Sequence, residues 1–285
     1  MPSGEACQAG FFRVAVGFTV PARMLLDLLA LLALVPAVLL LLRPRERRDA
    51  AVWCALALAV AGPTVLVAVV NAQGWHASFS GALWVSADAA LILFVVAAAL
   101  NDTAWRLLPL LAAYCFLLGV GGTLFAALPA EPQSPTPSAA WLDVHIAVSL
   151  ATYGLATIAA IAGLAGLLQE RALKRRRQSP FLQTLPSIAD GERLVHGLLG
   201  AAEVVLGIGI LSGMATQYLI SGRLLVFDHK TVFSLLAFVV VGLLLWLQWR
   251  TGLRGRRAAR FVLSAYLLLT LAFLGVKFVR DVLLS

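Results

Sequence analysis

The chain has 285 residues, 61% of them hydrophobic and 13% charged, with a net charge of +8, and its mean hydropathy is +0.92. That composition excludes a water-soluble domain and describes an all-α, polytopic membrane helix bundle whose first partner is the lipid bilayer. Nucleic-acid binding is not expected, because the basic residues fall in short clusters between apolar runs, where they act as topology signals.

Residues 1–20 read as an external N-terminal segment, with Phe11, Phe12, Val14, Val16 and Phe18 suited to the membrane interface. A cleaved signal peptide is not expected, since a basic n-region is missing and the Leu-rich run that follows ends in arginines. Met24 to Leu42 is the first span, and Arg43, Arg45, Arg47 and Arg48 mark its inner end. Ala51 to Val70 is the second, with Pro63 inside it, which lipid tolerates where neighbouring helices satisfy the freed carbonyl. It ends in the external loop NAQGWHA, which holds His76. Ser80 to Leu100 and Leu108 to Leu128 are the third and fourth spans, joined by an inner turn with Arg106. The GVGG of the fourth suits close helix approach. Residues 21–140 thus carry spans one to four and end in a proline-rich external loop, 129–139.

Residues 141–285 carry the other four. Trp141 to Leu168 runs into ERALKRRRQ, whose Arg171, Lys174, Arg175, Arg176 and Arg177 are the strongest inner signal in the chain. Val195 to Ile220, Val232 to Trp249 and Phe261 to Val279 complete a set of eight, each long enough to cross roughly 30 Å of hydrocarbon. With both termini external, the inner loops after the odd-numbered spans take most of the arginine and lysine.

Cys7, Cys54 and Cys115 form no CxxC pair, which excludes a thioredoxin-like motif and a covalent CxxCH haem site. Of the four histidines, His76, His145 and His229 fall on the external side. Any one of them reads most simply as an interfacial polar residue, but three on one side, two at span mouths, point to a ligand set. From His145, helical offsets reach Ser149, Thr152 and Tyr153, so one face of span five is polar for more than two turns. Neutral imidazole suits iron, copper and zinc. Asp88, four residues after Trp84, and Glu203, seven after His196, are intramembrane acids and hence candidate functional groups. Lys277 with Asp281, and Arg23 with Asp27, are spaced as i,i+4 pairs near span ends.

WLDVHIAVSLATYGLAT, QERALKRRR, the SG at 212–213, DHKTVFSLLAF and GLRGRRAARFVLSAYLLLTLAFLGVKF together resemble the cytochrome c assembly family, which includes CcsA and CcmC. The resemblance covers residues 141–279 and is closest to the shorter YpjD/HemX-like branch. It implies a bundle that presents haem at its external face. His145 matches the family's first external haem-ligating histidine, and Asp228 and Lys230 match the Asp and Lys of its WDPKE stretch, with His229 where that stretch has proline. Three departures separate the chain from the synthetases of the family. SGRLLVFDHK lacks the tryptophan-rich platform, the span before GLRGRR lacks a histidine, and the chain stops at Ser285 before a last external histidine.

Together with the hydropathy pattern, the resemblance implies a multi-pass protein of the bacterial inner (cytoplasmic) membrane expected to bind haem b externally and to assist c-type cytochrome assembly or haem homeostasis, with other cytochrome c biogenesis proteins as expected partners. His145 and His229 are the expected axial ligands and His76 a third candidate, with Tyr153, Trp84, Asp228 and Lys230 around the cofactor. No catalytic residue is assigned. Two other readings fit the same residues: a non-catalytic membrane regulator docking through the inner loop 169–192, and a small-molecule transporter with Asp88 and Glu203 as a proton relay.

Overall fold

The structure, a computed structural model, describes residues 20–45, 47–72, 78–127, 140–176, 179–222, 229–252 and 255–283. Among them there is no strand. The helices are α1 (Val20–Leu39), α2 (Ala50–Asn71), α3 (Phe79–Leu100), a 3-10 turn (Ala104–Leu107) leading into α4 (Leu108–Leu124), α5 (Ala140–Lys174), the short α6 (Pro180–Thr184), α7 (Ile188–Ser221), α8 (His229–Thr251) and α9 (Arg256–Thr270). From α9 the chain continues through a π-helical turn, Leu271–Gly275, an α turn, Val276–Phe278, and a second π turn, Val279–Leu283. Eight helical stretches are long and apolar enough to cross a membrane, as the sequence predicts.

Polar side chains set several helix starts. Asp49 accepts from Val52 N at 3.1 Å, Ser78 from Gly81 N at 3.0 Å and Ser187 from Asp190 N at 3.2 Å, each satisfying a donor that the first turn cannot use internally. α7 ends at Gly222, whose φ of 68° suits the glycine that stops a helix. Two helices overrun the expected spans. α5 continues past Leu168 to Lys174, and α7 begins at Ile188 instead of Val195.

The helices form two groups. In the first, α1 packs on α2 and α4, and α3 packs on both of those. In the second, α5 lies between α7 and α9, and α8 closes the group against the same two. The groups meet chiefly where α3 packs on α5. At that seam a Cβ on Gly154 would lie 2.6 Å from Leu93 Cδ1, so the absent side chain lets the helices approach. Three tyrosines also meet there: Tyr114 of α4, Tyr153 of α5 and Tyr266 of α9, with Tyr153 OH 3.0 Å from both other hydroxyls. Leu25, Leu32, Leu117, Leu211 and Leu267 stand exposed on the outside, as lipid contact requires and water would not favour.

The first group is closely packed around polar side chains. Trp84 lies on the backbone of α4, where a Cβ at Gly119 would sit 2.7 Å from its Cη2 and one at Gly122 would sit 2.6 Å from its Nε1. Ser80 Oγ donates to Gly122 O at 2.7 Å and accepts from Arg23 Nη2 at 3.2 Å. Asp27 is fully buried beside this cluster, and among the described residues neither of its carboxylate oxygens has a hydrogen-bond partner of ordinary geometry.

Candidate functional site

The second group is hollow at both ends. At the end away from the arginine clusters, a cavity of about 540 Å³ lies between α5, α7, α8 and the π-turn segment, with Ser78, Gly81 and Ala82 of α3 and its N-cap on a further side. The polar stripe of α5 faces it through His145, Ser149, Thr152 and Tyr153. Ser149 Oγ donates to His145 O at 2.7 Å and Thr152 Oγ1 to Val148 O at 2.9 Å, so these hydroxyls are satisfied within their own helix. They offer acceptor lone pairs to the cavity.

His145 is half-buried, and its Nδ1 lies 3.1 Å from Ser212 Oγ on α7. Ser212 in turn donates to Gly209 O at 3.0 Å. At the next residue, a Cβ on Gly213 would come within 3.0 Å of His145 Cε1, so the imidazole rests against bare α7 backbone. Across the cavity stand Phe273, Lys277 and Arg280. Arg280 Nε is paired with Asp281 Oδ1 at 2.9 Å, so Asp281 is engaged by its neighbour as well as being spaced for Lys277. The two π turns flank this segment, and wide turns of that kind recur where helices build functional sites.

The remaining expected site residues are placed as follows. α8 opens with His229 and Lys230, whose side chains lie outside the described residues, and Thr231 and Ser234, just along the same helix, line the cavity. His76 and Asp228 lie outside the described residues, although Ser78, two positions after His76, lines the cavity. Trp84 does not reach it, being buried against Gly119 and Gly122 in the first group. The structure thus brings His145 and Tyr153 to one cavity, beside the start of α8, and leaves Trp84 elsewhere.

The model of the cytochrome C assembly protein family matches residues 50–284. The chain belongs to the cytochrome c assembly family. The match reaches well upstream of residue 141, so α2 to α4 are part of the family's body as well as the C-terminal half. Among its relatives, an uncharacterized 28.8 kDa protein of Azospirillum brasilense is 47% identical over 91% of this chain and 97% of its own length. The inner membrane protein YpjD of Escherichia coli K12 is 28% identical over 64% of this chain and 67% of its own. The cytochrome c biogenesis protein CcsA of Parasynechococcus marenigrum is 25% identical over 59% of this chain and 65% of its own.

The sequence does not reveal that Ser212 and Gly213 lie against His145, nor that Lys277 and Arg280 line the cavity. The SG pair was visible only as part of the resemblance, because nothing in the sequence puts Ser212 opposite His145. The two intramembrane acids sit in different groups. Asp88 Oδ1 accepts from Thr64 Oγ1 at 2.6 Å between α3 and α2. Glu203 lies beside Gly242, in a small void shared with Thr152 and Tyr266. His196 bonds Gln248 Oε1 through Nδ1 at 2.8 Å and lines a second cavity, of about 720 Å³, at the arginine-rich end.

Proposed function

We propose that this protein holds haem b in the 540 Å³ cavity and handles it for c-type cytochrome assembly or haem homeostasis. One observation carries the reading: among the described residues an imidazole, His145, is set into the wall of that cavity in a member of the cytochrome c assembly family. The volume falls within the range of roughly 300–1,000 Å³ typical of sites for small molecules and cofactors. The donor set fits haem better than a naked ion. Among the described residues no three of His, Cys, Asp and Glu gather as a bare metal site requires, whereas haem iron, already held by its porphyrin, takes only axial ligands from the protein.

In this proposal His145 would hold the haem iron through Nε2 together with His229, which opens α8 at the same end, and His76 is a third candidate. Lys277 and Arg280 would receive the propionate carboxylates, with Asp228 and Lys230 as further candidate contacts. Tyr153 and Phe273 give the porphyrin aromatic neighbours. Trp84 takes no part, because its ring is spent on packing α3 against α4. Bound haem supplies the iron centre; the protein's own work is to bind it, fix its orientation and keep it out of lipid. In this proposal the 720 Å³ end faces the cytoplasm and the haem cavity and both termini face outward, a reading that the arginine clusters support. By analogy with YpjD the membrane is the bacterial inner membrane, and the partners are other cytochrome c biogenesis proteins.

Absorption spectra of detergent-purified protein supplied with hemin test this reading. The expected result is a low-spin Soret band with sharp α and β bands on reduction, turned high-spin in His145→Ala and partly restored by imidazole. Protein that stays colourless after hemin supplementation overturns it. Reporters fused after Ala139 or at Ser285 should be active only outside, and one near Gln178 only inside; a cytoplasmic C-terminus overturns the orientation.

A further inference from the structure

We infer that Ser212 and Gly213 are positioning residues that hold the His145 imidazole in its Nδ1–H tautomer and fix the plane of its ring. The argument begins with a proton. Ser212 is buried, and its hydroxyl donates to Gly209 O at 3.0 Å within its own helix. A hydroxyl has one proton to give, so towards His145 Nδ1, 3.1 Å away, Ser212 Oγ acts as acceptor. Nδ1 therefore carries the ring proton, and a neutral imidazole then has its lone pair on Nε2.

Gly213 governs the ring's face where Ser212 governs its edge. A Cβ at 213 would lie 3.0 Å from Cε1, 3.5 Å from Nδ1 and 3.7 Å from Nε2. The contact at Cε1 is tighter than ordinary packing, so a side chain there obliges the imidazole to shift or tilt by a few tenths of an ångström. Two consecutive residues of one helix thus set the tautomer and the orientation of a side chain on another, 67 positions earlier. A histidine that serves a metal is commonly held in this way through its other ring nitrogen. Here the acceptor is an uncharged hydroxyl, which leaves His145 a neutral ligand.

The metal-binding consequence rests on the haem reading, but the tautomer does not, so the test has two parts. Full-length, haem-free protein with ¹⁵N-labelled histidine is examined by NMR at a pH where imidazole is neutral, with His145→Ala assigning the His145 signals. The expected wild-type signals are those of Nδ1–H; they shift towards Nε2–H in Ser212→Ala and return in Ser212→Thr. An Nε2–H wild type, or a Ser212→Ala protein of unchanged tautomer, overturns the inference. Hemin titration of the same proteins should show a dissociation constant raised about 10–100-fold in Ser212→Ala and recovered in Ser212→Thr. In Gly213→Ala the low-spin ferric electron-paramagnetic-resonance g values should shift, as a rotated ring requires, and unchanged values overturn the role of Gly213. If wild-type protein shows the Nδ1–H tautomer but takes up no hemin, the haem reading fails and the Ser212 assignment stands.

Discussion

Glycine does opposite things in the two groups of helices. In α1–α4 a Cβ would lie under 3 Å from Ala33 at Gly62, from both Trp84 and Leu31 at Gly119, and from Trp84 at Gly122, so the missing side chain lets neighbours touch. In the second group, Gly166, Gly191 and Gly197 have no such neighbour within 4 Å, and all three line the 720 Å³ cavity. There the missing side chain leaves room. Small residues in a membrane helix are usually read as contact surfaces, yet at the arginine-rich end of the second group these three keep a space open, while Gly154 and Gly213 of the same group make close contacts. The first group is the rigid frame and the second is the container.

Substitutions can break this contrast, the most damaging first. Gly122→Val should drive a side chain into Trp84, with the strain of an overpacked core, about 1–3 kcal/mol or more, seen as a large drop in melting temperature in detergent or as loss of the monodisperse species. Thr64→Val should leave Asp88 Oδ1 without its 2.6 Å donor at about 1–3 kcal/mol, and Thr64→Ser should recover most of the loss in the same melt. Tyr114→Phe removes one hydroxyl from the seam and should lower stability by about 1 kcal/mol, measured against wild type in one detergent. Gly197→Ala should do least, or stabilise by up to about 1 kcal/mol, because alanine favours the helix and its methyl enters empty space. If Gly197→Ala melts as low as Gly122→Val, the cavity is closed in solution and the contrast between the groups fails.

The spans were legible because lipid exposure imposes one simple rule, a long apolar run, and α1 to α4 obey it closely. Helix ends were less so. A hydropathy limit stops the fifth span at Leu168, but the helix continues through Glu170 and Lys174, whose i,i+4 ion pair at 2.6 Å supports it beyond the apolar zone. The same reasoning explains why α7 starts at Ile188, where Ser187 caps a polar first turn. π turns have no distinct composition, so nothing in LAFLG or VRDVL announces them. His145 could be singled out because histidine is rare in the chain, with four in all. Ser212 could not, since serine is an ordinary membrane-helix residue until its neighbour in space is known. Lys277 reads as a charge near a span end that reaches for the interface, whereas the fold puts it, with Arg280, on a cavity wall.

The tyrosine junction gives the protein a built-in gauge. Three of its four tyrosines share hydrogen bonds at the point where the two helix groups meet. Tyr153 alone among the three also borders the 540 Å³ cavity. The phenol bands of an ultraviolet Raman spectrum respond to whether a hydroxyl donates or accepts, so most of the chain's tyrosine signal comes from this one junction. Anything that enters the cavity and tilts α5 against α3 must disturb those hydroxyls, and the motion of container against frame can be followed without attaching a label.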